Sequence, residues 1–392
     1  MNRTRLAIVC DFPEEGWPSM DLMGEMILTH LGQGHSDAFA ATRVCPAYRH
    51  RLGRWPGTRR LGLARNADRV LNRFWDYPRA LTQRVRRGEF DLFHLVDHSY
   101  AQLVHVIPAG RAVVTCHDLD TFRCLLEPER EPRPRWFRAL ARRTLAGLRA
   151  AAAVVCDSEA TRNALLAHGL IHESRTRVVY LGRHPECSID PDPVADAEAA
   201  RLLGPFDRNG PPEIFHVGST IPRKRIDVLL ATFAAIQRAH PGARLIRAGG
   251  PLTSEQERQA RELGVSDAVV SLPFCSRATL AAVYRRATLV MMPSDAEGFG
   301  LPVAEALACG APLLASDLPV LREVGGEAPV YRPVADLPAW TEAALSLLAE
   351  RSGSVAWQAR RDLGMAQASR FDWAYHAAQL TLIYRELLDR LR

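Results

Sequence analysis

The stretch TLVMMPSDAEGFGLPVAEALACGAPLLASD, residues 288–317, runs from an unbroken apolar segment through a short glycine-rich turn into a helical segment and a second apolar run. Pro302 stands where a first helical residue is expected and Gly310 where a helix closes. Apolar runs without alternation, joined through a helix, are the pattern of parallel strands covered on both faces. Backbone N–H groups and the positive end of the helix dipole gather at such a helix start, which suits a phosphate. Glu297 lies in the turn, and Glu305 lies about one turn into the helix, leaning back toward its start. A ribose diol offers two donors that Glu305 would accept together, while Glu297 would face whatever the far phosphate carries. On this reading the two glutamates would bracket a nucleotide diphosphate; the alternative is that Glu305 is a surface helix residue and Glu297 a turn residue.

The same alternation of strand, turn and helix extends outward. Residues 213–370 contain EIFHVGS, RLIRAGG and AVVSLPF between helical stretches, and residues 1–185 contain LAIVCDF, DLFHLV, AVVTCHD, AAVVCDS and TRVVYLG in the same setting. Residues 186–212, rich in Pro, Asp and Gly, read as a linker. Residues 371–392 read as a terminal helix able to cross back to the first domain. The expected fold class is α/β, with two Rossmann-like doubly wound domains facing each other across a cleft and ligands at the carboxyl ends of their strands.

A length of 392 residues with 47% hydrophobic and 24% charged content fits about two globular domains. No apolar run approaches the roughly 20 residues of a bilayer span, and MNRTRLAIVCDF enters strand-like sequence without signal-peptide architecture, so a cytoplasmic location is expected. The eight cysteines form no CxxC pair and several sit in apolar runs, as reduced buried thiols do. Residues 1–185 hold 28 basic and 19 acidic side chains, residues 186–392 hold 22 and 25. Between Arg43 and Arg87 there are 13 arginines and two aspartates, interleaved with Trp55, Trp75 and Tyr77. Such a run is a solvated face, or a patch for an anionic membrane, a pyrophosphate-bearing acceptor or nucleic acid.

Three further stretches carry chemistry. VGSTIPRKRIDVLL, residues 217–230, is again strand, glycine turn and helix, and Lys224 is the only lysine among 50 basic residues. A compact point charge there, with Arg223, would neutralise a departing diphosphate in place of a metal. AVVTCHDLD, residues 112–120, delivers His117 to the strand edge, where it would donate to a sugar hydroxyl or exchange a proton. Asp118-Leu119-Asp120 and Asp190-Pro191-Asp192 match a DxD metal pattern, but three residues are a weak signal and no metal is expected. After the first strand, Gly16 would let the backbone approach a ligand closely, and the absence of GxGxxG speaks against a dinucleotide oxidoreductase.

EGFGLPVAEALACGAPLLASDLPVLREVGG, residues 297–326, resembles the signature of retaining glycosyltransferase family 4, and VGSTIPRKRIDVLL resembles its phosphate-binding turn. VVTCHDL and VVCDSEATRNALL follow in the order of that family's first domain, so the resemblance spans essentially the whole chain. It implies the GT-B fold, a nucleotide-diphosphate sugar donor, no metal and no other cofactor, and transfer with retention. It implies that Glu305 binds the ribose and Glu297 the donor sugar. The diphosphate would be held by Lys224, Arg223, the turn Gly218-Ser219 and the amides of Gly298, Phe299, Gly300 and Leu301. His117 would contact the donor sugar near the reacting centre, and Leu272 to Phe274 the base. Many members carry an arginine directly after the VG of the phosphate turn; here Ser219 stands there, with Arg223 as the expected substitute.

The expected function is a hexosyl transfer onto a glycan or lipid-linked acceptor in bacterial surface polysaccharide, exopolysaccharide or glycolipid assembly. Peripheral contact with the inner face of the membrane and no nucleic-acid partner are expected. Two other readings stay open: a nonenzymatic nucleic-acid or anionic-membrane binder built on Arg43 to Arg87, and a sugar-nucleotide epimerase or hydrolase.

Overall fold

A computed structural model describes residues 3–52, 62–207, 209–350 and 354–392, with the backbone alone for residues 62 and 63. The chain divides into two units, Met1–Leu181 with Trp373–Arg392, and Gly182–Asp372.

The first unit is built on a six-stranded sheet of order β2-β1-β3-β4-β5-β6, comprising β1 (Thr4–Val9), β2 (Phe39–Val44), β3 (Leu92–Leu95), β4 (Ala112–Cys116), β5 (Ala153–Cys156) and β6 (Thr176–Val178). All neighbours pair in parallel, and β3, β4 and β5 are buried along their whole length, which is why they read as continuous apolar runs. The strand order reverses between β1 and β3, the place where open sheets bind ligands. The final helix, Trp373–Arg390, packs on the helix Pro18–Gly34 of this unit. Its Tyr384 hydroxyl lies 2.5 Å from His94 Nδ1 in the middle of β3, and both residues are fully buried.

The second unit repeats the plan with order β12-β11-β10-β7-β8-β9: β7 (Glu213–Val217), β8 (Arg244–Ala248), β9 (Val269–Ser271), β10 (Leu289–Met292), β11 (Leu313–Ser316) and β12 (Val330–Arg332). Its reversal falls between β7 and β10. The β7–β8 register pairs Val217 with Ala248, setting the turn at Gly218 beside Gly249.

Residues 186–212 depart from the expected linker. They contain the helix Pro193–Leu203, which packs on the helix Arg277–Arg286 inside the second unit. The Pro-Asp composition is a helix start rather than a linker. Asp192 accepts hydrogen bonds from Val194 N (3.0 Å) and Ala195 N (3.1 Å), and Pro193 occupies the first turn. The carboxylate of the second DxD match is therefore spent on a cap.

Candidate functional site

In the second unit, two loops leave the sheet at the β7/β10 reversal and are tied together. Asp295 N donates to Arg223 O (2.9 Å), and Arg223 Nη1 donates to Ala296 O (3.0 Å). These bonds bring Lys224 Nζ within 2.5 Å of Glu297 Oε1, which also accepts from Ser294 Oγ at 2.7 Å; Arg223 Nη1 lies 3.6 Å from Glu297 Oε2. The side chain of Glu297 is almost fully buried. Burial opposes its charge, but Lys224, Arg223 and Ser294 outweigh that and hold the carboxyl below the ordinary glutamate range. The site therefore contains an ionised carboxylate clamped to an ammonium that retains two of its three hydrogens for other partners.

The helix Leu301–Ala308 begins after Gly300, whose φ of +91° needs a glycine and whose absent Cβ leaves room for Leu321. No side chain caps this helix and no acidic residue sits in its first turn. Phe299 is buried against Phe371, so only its backbone serves the loop. Glu305 is buried on this helix, accepting from Tyr284 OH at 3.3 Å and lying 3.9 Å from Arg277 Nη1. Burial raises its pKa, and Arg277 and Tyr284 only partly offset this. Past β9, Leu272 is buried while Pro273 is exposed and Phe274 is 96% exposed, so of the residues expected at the base Phe274 offers an aromatic stacking surface.

In the first unit, the residues after β1, β3, β4 and β5 converge. His117 is buried with both ring nitrogens engaged, Nδ1 with the Asp157 carboxylate and Nε2 with Val96 O at 2.7 Å. Burial disfavours the imidazolium, but Asp157, Asp97 and the Val96 carbonyl reverse that and push its pKa up to about 10. Neither nitrogen is left over for a sugar hydroxyl in this arrangement, unlike the expectation of a donor aimed at a ligand. Asp97 accepts from Ser99 N at 2.7 Å and lies 3.2 Å from His98 Nδ1. Arg73 pairs with Glu15 at 2.8 Å and lies over the Tyr100 ring at 4.1 Å. Gly16 has φ +73° and open space where a Cβ would stand. Asp118 accepts from Asp120 N at 3.0 Å, closing the first DxD match on itself. Among the described residues no group of three or more His, Cys, Asp or Glu side chains is arranged to hold a metal ion.

Many of the arginines between Arg43 and Arg87 are engaged inside the protein. Arg51 makes a bidentate pair with Asp76 (2.7 and 2.8 Å), Arg69 and Arg73 pair with Glu15, Arg84 pairs with Glu89, and Arg79 lies over Trp75. Arg54, Trp55, Arg59 and Arg60 lie outside the described residues.

Reading the sequence missed Asp11, Asp97 and Asp157, each the first acidic residue after a parallel strand, a positional signal that was available. It also missed His216 and Arg247, polar residues that interrupt the apolar runs following Glu213 in β7 and Arg244 in β8.

Two family models match the chain: "Glycosyl transferases group 1" over residues 205–347 and "Glycosyltransferase Family 4" over residues 25–186. A D-inositol 3-phosphate glycosyltransferase of Mycolicibacterium paratuberculosis is 35% identical over 216 residues, 52% of this chain and 47% of that protein. The enzyme of that name from Mycolicibacterium smegmatis is 31% identical, covering 61% of this chain and 54% of its own length. The chain thus spans about half the length of the curated relatives it matches. Among solved structures, sucrose-phosphate synthase of Thermosynechococcus elongatus superposes with a TM-score of 0.73 at 19% identity, over 99% of this chain and all of that one. Anabaena HepE in complex with UDP and glucose superposes with a TM-score of 0.71 at 17% identity, over 98% of this chain and all of that one. The fold is GT-B.

Proposed function

The chain belongs to glycosyltransferase family 4, and from that premise we propose that it transfers a hexosyl group from a nucleotide-diphosphate sugar to an acceptor hydroxyl with retention of anomeric configuration. The observation that carries the reading is the clamp of Lys224, Arg223 and Glu297 beside the uncapped start of the helix Leu301–Ala308. Two cations and a helix dipole suit a diphosphate that gains charge as it leaves, without calling on a metal. A carboxylate tied to Lys224 and Ser294 is a poor nucleophile, which favours same-face attack over double displacement. The acceptor hydroxyl attacks as the C–O bond to the diphosphate breaks, and a leaving phosphate oxygen takes its proton. Glu297 orients the sugar, Glu305 holds the ribose, and Phe274 stacks on the base. His117, fixed by Asp157, contributes its charge rather than a free ring nitrogen.

Anabaena HepE is solved in complex with UDP and glucose and with UDP-glucose, so UDP-glucose is the first donor to test. On the acceptor side, Glu15 pairs with Arg69 and Arg73, Asp97 lies 3.2 Å from His98 Nδ1, and burial beside Asp97 raises the Asp11 pKa well above the ordinary range, so this cluster carries both signs of charge. We take the acceptor to be a glycan or lipid-linked glycan of surface polysaccharide or glycolipid assembly, and the name of the curated relatives makes an inositol phosphate the second acceptor to test. No helix among the described residues is long and apolar enough to cross a membrane. The membrane contact expected of Arg43 to Arg87 is better carried by the helix Arg135–Ala150. It holds five arginines and no acidic residue, and exposes Trp136 at its first turn.

The test is a thermal-shift screen against UDP-, GDP- and ADP-sugars with and without EDTA, on the parent and Glu305→Gln. A shift with one nucleotide class, unchanged by EDTA and lost in the variant, supports the reading. The anomeric coupling constant of the product reports retention. No shift with any donor, or donor consumed without acceptor, would count against transfer and for the hydrolase or binder readings.

A further inference from the structure

Arg247, in the middle of β8, is fully buried and has no acidic partner among the described residues. Its guanidinium reaches two carbonyls only, Gly218 O through Nη2 at 3.2 Å and Gly250 O through Nη1 at 3.4 Å, and its Nε makes no hydrogen bond. Burial draws its pKa down to about 10, so it is charged at neutral pH. His216, fully buried on the neighbouring strand with neither ring nitrogen bonded, sits beneath the same turn, and a Cβ on Gly218 would stand 3.1 Å from its Cε1. Burial, Arg247 and Lys224 hold His216 neutral.

A buried cation without a counter-charge is costly, and two long hydrogen bonds to neutral carbonyls do not offset it. Its place shows what would. The Gly218–Ser219 peptide is trans, so with the Gly218 carbonyl turned toward Arg247, the Ser219 N–H on the same plane points the opposite way. Gly249 makes this geometry possible, because a Cβ there would lie 2.3 Å from the Gly218 oxygen. Gly218 to Ser219 is the turn assigned above to the diphosphate, and Ser219 occupies the position where the family resemblance leads one to expect an arginine.

We propose that Arg247 is a positioning residue for the donor's diphosphate: it holds the Gly218–Ser219 peptide with the Ser219 N–H toward the phosphates and supplies from below the positive charge that Ser219 lacks. The inference rests on the nucleotide-sugar reading of this site. The diphosphate, in turn, is the counter-charge that the buried guanidinium lacks, so part of the cost of burying Arg247 is recovered only on binding.

The test compares the parent, Arg247→Met, and Arg247→Met combined with Ser219→Arg, titrated with inorganic pyrophosphate and with UDP, GDP and ADP. Ligand-free melting temperatures are measured alongside. The methionine variant is expected to melt no lower than the parent yet bind pyrophosphate and the preferred nucleoside diphosphate about tenfold more weakly or worse, and the added arginine at position 219 is expected to recover most of that loss. A purely structural arginine would lower the melting temperature and would not be rescued from position 219. Parent-like affinity in Arg247→Met, or failure of the rescue, overturns the proposal while leaving the function intact. A parent that binds none of these diphosphates overturns both. If the methionine variant does not fold, Arg247→Gln carries the same expectation, since it keeps a donor for Gly218 O without the charge.

Discussion

Glu297 and Glu305, eight residues apart, face opposite electrostatic problems. Glu297 is ionised because Lys224 answers its charge, so removing the lysine strands a buried carboxylate. Lys224→Met should cost about 3–5 kcal/mol of stability. Adding Glu297→Gln should restore most of that stability, read by urea denaturation, without restoring transfer; recovery of activity would mean the pair serves only the fold. Glu305 has its pKa raised by burial, so the folded state is penalised as pH rises above the ordinary 4.5. Glu305→Gln should therefore raise the ligand-free melting temperature at pH 7 while abolishing the shift given by the nucleotide sugar. His117 runs the other way. Its folded pKa is raised from 6.5 to about 10, so its contribution is fully present below pH 6.5 and is lost as pH climbs toward 10. Asp157→Asn should be less stable than the parent at pH 6.5 and should show little of the parent's further loss up to pH 10. Glu305 and Lys224 were legible in the sequence because each stands at a fixed offset from a strand-to-helix turn. Asp157 was not, since its role depends on β5 lying beside β4.

At the scale of elements, the helix Arg135–Ala150 presents two unlike faces. Ala141, Thr144, Leu145, Gly147 and Leu148 are buried, and Gly147 lets the backbone approach the Tyr100 to Val104 turn so closely that a Cβ would meet Ala101 O at 1.9 Å. The opposite face carries Arg135, Arg142, Arg143 and Arg149 with small alanines between. Arginines in a first turn oppose the helix dipole, so the chain's own stability does not account for Arg135 and Arg138. Vesicles of phosphatidylglycerol and phosphatidylcholine should sediment the protein at low salt and shift Trp136 fluorescence to the blue. Arg142→Glu with Arg143→Glu should weaken this by at least about tenfold, at roughly 1 kcal/mol for each cation removed. Binding unaffected by those changes would sink the assignment, and stronger binding to an oligonucleotide would point to nucleic acid instead.

For the molecule as a whole, the last helix decides whether the first unit is complete. His376, Leu380, Ile383, Tyr384 and Leu387 are buried, and Tyr384 satisfies a histidine inside β3 that lies 290 residues earlier. Tyr384→Phe should cost about 1–3 kcal/mol by leaving His94 Nδ1 without its partner, seen as a lower denaturation midpoint. Because the second unit does not contain that helix, UDP-induced protection from hydrogen exchange around Glu305 should survive the change; loss of both together would mean the two units unfold as one.

The sequence by itself determined two parallel-sheet domains, the strand-to-helix turns at Gly218 and Gly300, and the charged residues within one turn of each, because these follow from local periodicity and from what proline and glycine permit. It also set Asp192 as a helix cap, although composition disguised that helix as a linker. Only the tertiary structure decided that Lys224 clamps Glu297, that Asp157 occupies His117, that Arg247 lies beneath Gly218 and that the last helix belongs to the first unit. Each of these depends on which strands become neighbours, and strand order is set by the burial of whole faces rather than by any short run of residues.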